Sequence, residues 1–467
     1  MIGCPDGANR IAPYVLAAAF VLYGLLATVF LAINMPPYQN PDETAHFMRA
    51  AQVAEGRVIG TRFARIEADG QAHVLAGDAG DIAIALAFFP FDPIRGHPET
   101  KATRSMWAGN IHWGRARVML PNTNTAANPP LFYVPGAIGV LIGRAARMTV
   151  VQTLALSRLL TGVAAVAVGA LAIATAEGAA VWLFALLTLP MALAQIASTS
   201  QDSLLLACSA LAGALLVRAL RVPGARDRTL LIGLVAMLIL VATARPPYGA
   251  LALLPLALKG SPWRSRLLAA ALVVAAVLAW SGIAAATALT NVGQGFGADP
   301  PAQLARLRAD PLLLVHATWS ALALHWRGLL EMFVGRLGWY DLELPQAYRT
   351  AALAMLGVAA LAAMTGLRGQ RIGAGSRLAI AAGVLLSAAG LFAIEYVTWT
   401  APGAPIVEGV AGRYFLPLAL AGAALLPAFG HARWARLHAA LVLAVAAFPV
   451  VTLTVVMRAV VLRYYLG

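Results

Sequence analysis

The feature that most constrains this chain is a recurring apolar run of about 15 to 24 residues, near the length that crosses a bilayer as an α-helix. Of its 467 residues, 60% are hydrophobic and only 12% are charged. Soluble domains average about 25% charged residues. The sequence therefore predicts an all-α integral membrane protein, with a single polytopic membrane domain over residues 1–467.

Hydropathy predicts about 11 transmembrane helices. They are expected at residues 11–33, 152–175, 179–197, 203–220, 229–244, 247–259, 267–289, 350–366, 377–398, 411–428 and 436–457. The first run is longer than the apolar core of a signal peptide and has no clear cleavage site, so we expect it to be retained. A further stretch, 129–148, opens with two prolines and ends with arginines, which favours a juxtamembrane or re-entrant helix.

Basic residues set the expected orientation. The net charge is +14, and the cations cluster in short loops between apolar runs. This pattern is typical of cytoplasmic loops, so we expect no nucleic-acid partner. These loops hold Arg218, Arg221, Arg226, Arg228, Lys259, Arg264, Arg266, Arg368, Arg371, Arg377, Arg433 and Arg436.

With those loops in the cytoplasm, two long polar segments fall on the outer face, at 34–128 and 290–349. Each is too long for a turn, so we expect them to carry short helices, near 44–55 and 312–334. The two cysteines, Cys4 and Cys208, lie in a tail and in an apolar run, which predicts neither a disulfide framework nor a thiolate metal site.

Polar residues gather at five places on this predicted outer face. They are Asp42, Glu43 and His46 after the first span, Gln201 and Asp202 after the third, Arg245 to Tyr248, the segment 336–345 with Asp341, and Glu408 with 412–417. Carboxylates serve as general bases or metal ligands, and arginines hold phosphates through paired donors. The convergence predicts one active site at the membrane surface, suited to transfer of a group from a lipid phosphate.

Each of these residues also has a purely structural interpretation. Asp42 and Asp202 are placed to cap helices, and His46 is equally well a hydrogen-bonded histidine. Arg245 and Arg413 could cap helix ends or extend to the interface. Asp341 could be a solvated loop residue, with the neighbouring Trp339 and Tyr340 as interface anchors.

Four motifs carry a family resemblance. They are Pro41-Asp42-Glu43-Thr44-Ala45-His46-Phe47, Arg245-Pro246-Pro247-Tyr248, Leu337-Gly338-Trp339-Tyr340-Asp341 and Gly412-Arg413-Tyr414-Phe415-Leu416-Pro417. Together they resemble a bacterial family of polytopic membrane proteins that is classed as a domain of unknown function and assigned to the GT-C superfamily of glycosyltransferases. The resemblance covers nearly the whole chain.

The resemblance implies a GT-C-like bundle in the bacterial inner membrane, with a site facing the periplasm or exterior. It implies a polyprenyl-phosphate sugar as donor and a lipid-linked or envelope-glycan acceptor, with inversion at the anomeric carbon. Asp42 matches the catalytic acidic position, with Glu43 beside it, and Asp202 matches a second acidic position. A divalent cation, Mg or Mn, would have Glu43, His46 and Asp202 as candidate ligands.

We expect His46, Asp202, Arg245, Tyr248, Asp341, Arg413 and Tyr414 to bind substrate, with the arginines on the donor phosphate. Two other functions remain open on the sequence. A transporter or flippase of lipid-linked glycans shares the arginines but does not need the outer carboxylates. A non-catalytic partner in envelope-glycan assembly needs neither.

Overall fold

The fold is seen in a computed structural model that describes residues 6–66, 72–221, 227–290, 297–366, 372–429 and 434–466. Cys4, Arg226, Arg368, Arg371 and Arg433, which the sequence analysis named, lie outside these ranges. The described chain is mostly helical, as predicted.

The α-helices are numbered in chain order. The first nine are α1 (Asp6–Asn34), α2 (Glu43–Ala54), α3 (Ala83–Phe88), α4 (Arg104–Trp107), α5 (Val134–Ala145), α6 (Val150–Thr175), α7 (Ala180–Leu187), α8 (Pro190–Ile196) and α9 (Gln201–Arg221). The others are α10 (Asp227–Ala244), α11 (Trp263–Thr287), α12 (Pro300–Ala309), α13 (Leu312–Val334), α14 (Gln346–Gly366), α15 (Ala374–Thr398), α16 (Leu416–Ala421) and α17 (Ala435–Tyr464).

Seven helices of the described chain are long and apolar enough to cross a membrane, and the bent pair α7 and α8 would make eight. The seven are α1, α6, α9, α11, α14, α15 and α17. These findings support a multi-pass membrane protein, but the expected count of about 11 is not confirmed.

The difference has local causes in four of the predicted spans. Pro190 breaks the stretch 179–197 into α7 and α8, which meet at 81°. The stretch 411–428 is divided among 3₁₀ turns at Gly412–Phe415 and Gly422–Leu425 and the short α16. The predicted span 229–244 lies in α10, whose apolar part runs from Arg228 to Ala244 and is shorter than the usual spanning length.

The stretch 247–259 forms a 3₁₀ helix, Pro246–Ala257, rather than an α-helix. At about 2.0 Å per residue, its 12 residues reach about 24 Å, whereas an α-helix of that length would reach only about 18 Å. Because the 3₁₀ helix rises further per residue, this short segment extends from Arg245 to Lys259 across most of the bundle.

The segment predicted to be the first outer loop contains a small sheet that the sequence analysis did not predict. Strands β1 (Thr61–Ile66), β2 (Ala72–Asp81) and β3 (Arg117–Pro121) pair antiparallel in the order β1-β2-β3. The expected helix near 44–55 is α2. In the second loop, α13 covers the expected 312–334, and β4 (Arg336–Leu337) pairs antiparallel with β5 (Leu342–Glu343).

The segments that carry the predicted site residues run between the same two ends of the bundle. Helix α9 begins beside Asp202 and ends at Arg221, and α15 runs the opposite way, from Arg377 to Glu395. Ser376 donates to the carbonyl of Ala257 at 2.7 Å, which fixes the basic end of α15 to the 3₁₀ helix. Acidic and basic site residues therefore lie at one end, and cations of the predicted cytoplasmic loops at the other.

Candidate active site

One cavity of about 340 Å³ lies where the first outer loop meets the ends of α9, α10 and α15. It gathers residues that are far apart in the sequence. The predicted site residues that line it are Asp42, His46, Asp202, Arg245, Arg413 and Tyr414.

Asp42 reaches the cavity through an unusual backbone conformation. Its φ of 59° lies in the left-handed region, which non-glycine residues seldom adopt and aspartate tolerates better than most. It occupies the N-cap position of α2, but its side chain makes no capping bond. Instead the carboxylate accepts from Asn124 Nδ2 at 3.2 Å and from Arg413 Nη2 at 3.4 Å. The capping interpretation therefore does not account for this carboxylate.

Arg413 is the buried cation that joins the two aspartates. Its Nη2 is 3.4 Å from Asp42 Oδ2, and its Nε is 3.9 Å from Asp202 Oδ2. The Nε is buried and makes no hydrogen bond within the described chain. Because Gly412 has no side chain, this turn can pack directly against α13. A Cβ at this position would collide with the backbone of Leu329.

Arg245 provides a second cation beside the same carboxylate. Its Nη2 donates to Asp202 Oδ1 at 3.1 Å, and its guanidinium lies 4.1 Å from the ring centroid of Tyr414. The guanidinium of Arg413 lies 5.3 Å from that ring. The ring of Tyr414 therefore contacts both guanidinium groups, and cation–π attraction helps to hold the two arginines in position.

Both arginines remain charged despite their burial. Burial acts to lower the pKa of Arg245, but Asp202, Tyr248 and Tyr414 together raise it above its ordinary value. Burial likewise opposes the charge on Arg413, whose neighbours Tyr340, Tyr414, Asp202 and Asp42 raise its pKa well above its ordinary value. The cavity thus presents two fixed guanidinium cations to whatever enters it.

His46 is held neutral by its surroundings. Burial, the largest influence, lowers its pKa below the ordinary 6.5, although Asp42 and Asp202 oppose the change. Its Nδ1 is 2.7 Å from the Tyr133 hydroxyl, and its Nε2 is 3.1 Å from Ser200 Oγ. Both ring nitrogens already have partners, so the imidazole acts as a hydrogen-bonded wall of the cavity.

The three candidate metal ligands do not come together. Glu43 faces away from the cavity, both nitrogens of His46 are engaged, and Asp202 is paired with two arginines. Within the described ranges, no three His, Cys, Asp or Glu side chains are grouped to hold a metal ion. The residues present do not fit the expected Mg or Mn.

Glu43 is not retained as a catalytic candidate. It is fully buried, and Arg158 donates to it from Nε at 2.8 Å and from Nη2 at 2.5 Å. Arg158 also donates to the carbonyls of Ala32, Met35 and Pro36. This pair ties the end of α1 to α2 and α6, so Glu43 holds the loop that carries Asp42.

Two predicted substrate-binding residues also lie outside the cavity lining. Asp341 accepts from Arg463 Nη2 at 2.5 Å, which joins the second loop to the end of α17. Tyr248 is fully buried, and its hydroxyl donates to the carbonyl of Tyr414 at 2.7 Å. Tyr248 thus supports Tyr414, which reaches the cavity, and neither Tyr248 nor Asp341 lines the cavity itself.

The cavity also contains residues that the sequence analysis missed. Glu395, near the end of α15, lines it with a buried Oε2 that has no hydrogen-bond partner in the described chain. A lone carboxylate within an apolar span is itself a signal of function, and that signal was available in the sequence. Asn124 and Asn128, from the first outer loop, complete the polar side of the cavity.

The opposite wall is apolar and belongs to spanning helices. It includes Trp280 and Ala284 of α11 and Leu391 and Ile394 of α15. Only 17% of the apolar window of α11 and 28% of that of α15 are buried in the protein. In a bilayer these helices would face lipid, so the cavity lies beside the acyl chains as well as beside the polar loops.

Comparison with known proteins places the chain in a family. Residues 25–421 match the family described as "Predicted membrane protein (DUF2142)". The chain belongs to this family. The match spans all the residues that line the cavity, from Asp42 to Tyr414. No curated protein and no solved structure matches the chain.

Proposed function

We propose that this DUF2142 family member is a GT-C-type membrane glycosyltransferase, which moves a sugar from a polyprenyl phosphate to a lipid-linked or envelope-glycan acceptor. The observation that carries the proposal is the contact of Arg413 with both Asp42 and Asp202 in one cavity beside lipid-facing helices. Such a transfer needs a carboxylate that can act as a base, cations for the phosphate and an apolar wall for the lipid chain.

In the proposed reaction, the acceptor hydroxyl oxygen attacks the anomeric carbon from the face opposite the donor phosphate. Asp42 takes the hydroxyl proton as the new carbon–oxygen bond forms. The bond from the anomeric carbon to the phosphate oxygen breaks, and its electron pair leaves with the polyprenyl phosphate. The leaving group gains one negative charge, and the sugar is inverted.

Asp42 is assigned as the base because an acceptor can reach its carboxylate more easily than that of Asp202. Its side chain is 32% exposed, whereas that of Asp202 is 10% exposed and is held by Arg245 and Arg413. Fixed cations stabilise charge that develops on a leaving group, most strongly where water is excluded. Arg245 and Arg413 are therefore assigned to the donor phosphate, and Asp202 to holding them in position.

The apolar wall accounts for a lipid donor better than for a soluble one. A polyprenyl chain could enter between α11 and α15 while its phosphate reaches the arginines. We place the protein in a bacterial inner membrane, with the cavity facing the periplasm or exterior, because the basic loops lie at the other end of the bundle.

The proposal is tested by lipid and glycan profiling of the producing organism. Strains lacking the gene, carrying Asp42→Asn or carrying Asp92→Asn are compared with the parent. Asp92 is a matched control, because it is a partly exposed aspartate of the same loop that pairs with Arg95. The proposal expects the first two strains to lose the same sugar from one envelope glycan, and the control to keep it.

Two results would redirect the proposal. A flippase or a non-catalytic partner would give a defect in the deletion strain that Asp42→Asn does not reproduce, because neither role needs a base. Accumulation of a complete lipid-linked glycan on one face of the membrane would favour the flippase.

A further inference from the structure

A second pocket, of about 500 Å³, lies at the end of the bundle opposite the Asp42 cavity. It is formed where α9 ends, where α15 begins and by the segment after the Gly422–Leu425 turn. The pocket is about 28 Å from the cavity, since about 19 residues of α9 at 1.5 Å each separate Arg221 from Asp202. It is therefore a different place in the molecule from the proposed active site.

The composition of this pocket favours an anion. Its described lining holds two arginines, Arg221 and Arg377, and is otherwise apolar, with no aspartate or glutamate. Two guanidinium groups that share a pocket repel each other unless a negative charge lies between them. In the Asp42 cavity, by contrast, carboxylates accompany the arginines.

Arg221 has donors that nothing in the described chain uses. The residue is only 3% exposed, and its Nη2 donates to the carbonyls of Ala424 at 3.4 Å and Leu426 at 2.7 Å. Its Nε and Nη1 are buried and make no hydrogen bond with the described residues. A buried donor without a partner is costly, and a charged one more so. Arg221 lines the pocket, so an anion there would offset its buried charge.

Arg377 supplies the second cation from the edge of the pocket. It is exposed and lies near the start of α15. Ile372, which also lines the pocket, precedes the same helix. Arginine pairs of this kind hold phosphate oxygens in a fixed plane, which ammonium groups do less well. Phosphate is therefore the anion whose shape and charge fit the pair best.

We propose that this pocket binds a phosphate group, with Arg221 as the buried anchor and Arg377 as the exposed second cation. The headgroup of an anionic lipid is the favoured source. The pocket lies at the end of spanning helices, and Phe429, 56% exposed, gives its edge an apolar surface for acyl chains. A soluble phosphate compound has the same recognition chemistry, and the experiment distinguishes the two.

The test uses the purified full-length protein in a neutral detergent. Retention of phosphatidylglycerol and of phosphatidylcholine is measured by native mass spectrometry, and binding of inorganic phosphate by calorimetry. Arg377→Gln is compared with Arg218→Gln, a matched control on the same end of α9. Arg218 pairs with Glu177 at 3.4 Å and lies outside the pocket.

If the proposal holds for lipid, Arg377→Gln weakens phosphatidylglycerol binding about fivefold and Arg218→Gln leaves it unchanged. Binding of inorganic phosphate that is weakened by Arg377→Gln, with no preference for phosphatidylglycerol, assigns the pocket to a soluble phosphate. Equal binding of every probe by wild type and both variants overturns the proposal, as does equal loss in both variants. Arg221→Gln is a second variant. If it does not fold, the comparison of Arg377→Gln with Arg218→Gln still tests the proposal.

Discussion

Arg413 donates a hydrogen bond to Asp42 across 3.4 Å, although the two residues lie 371 positions apart in the chain. Asp42 follows the first spanning helix, and Arg413 lies in the 3₁₀ turn that precedes α16. The same guanidinium approaches Asp202 at 3.9 Å, so the proposed base, the cation proposed to bind the phosphate and the carboxylate beside them form one cluster. Changes at these positions should therefore act on the same reaction.

Replacement of Arg413 should impair transfer more than folding. Arg413→Gln removes the cation assigned to the leaving phosphate, and we expect kcat/KM to fall roughly 10²- to 10³-fold. Arg336→Gln is the control, because Arg336 pairs with Glu343 in the second outer loop and lies outside the cavity. The assay is sugar transfer by protein reconstituted in vesicles, and equal rates in the two variants would exclude Arg413 from phosphate binding.

Glu43 should matter for stability rather than for chemistry. Glu43→Gln leaves the buried Arg158 without its counter-charge, which typically costs about 3 to 5 kcal/mol. The free energy of unfolding, measured by detergent titration, should fall by that amount, and Glu43→Gln with Arg158→Leu should fall by less than the sum of the single changes. A variant of normal stability that loses transfer would return Glu43 to the reaction.

The stability of the protein should depend on pH through His46. Because burial lowers its pKa below 6.5, the folded protein holds the imidazole neutral, while the unfolded chain takes up a proton as the pH falls through that value. The contribution is present at neutral pH and is lost on acidification. Thermal unfolding between about pH 7 and 5 should show this loss, and His46→Gln should reduce the slope. An unchanged slope in the variant would contradict the neutral state of His46.

The apolar wall of the cavity should control access of a lipid donor. Ala284 of α11 is 5% exposed and lines the cavity, so Ala284→Trp should obstruct it. Gly282 is the control on the same helix, since a Cβ there meets no atom within 4 Å. We expect Ala284→Trp to lower kcat/KM by about tenfold or more while Gly282→Trp does not. Equal effects of the two would show that the donor enters elsewhere.

Sequence reasoning predicted the membrane fold well where helices are long and regular. Apolar runs such as 152–175 and 377–398 appear as α6 and α15 with nearly the expected ends. It could not foresee that Pro190 bends one run into two helices, or that 247–259 winds as a 3₁₀ helix. Pro190 marks the break in the sequence, but the angle between α7 and α8 and the 3₁₀ winding depend on packing against neighbouring helices, which hydropathy does not record.

The candidate site was predictable as a group but not in its details. The basic loops placed Asp42, Asp202, Arg245 and Arg413 on one face, and the structure brings all four into one cavity. The sequence could not show which of the adjacent Asp42 and Glu43 faces it. That choice depends on Arg158, which lies 115 positions from Glu43 and holds it in the interior.

The most direct test of the central claim is release of polyprenyl phosphate by the purified protein in vesicles made from lipids of the producing organism. We expect the wild type and Asp92→Asn to release it together with sugar transfer. Asp42→Asn, folded to the same extent, should lose at least about 10²-fold of the rate, as expected for removal of a general base. An Asp42→Asn protein that releases polyprenyl phosphate as fast as the wild type would exclude Asp42 as the base.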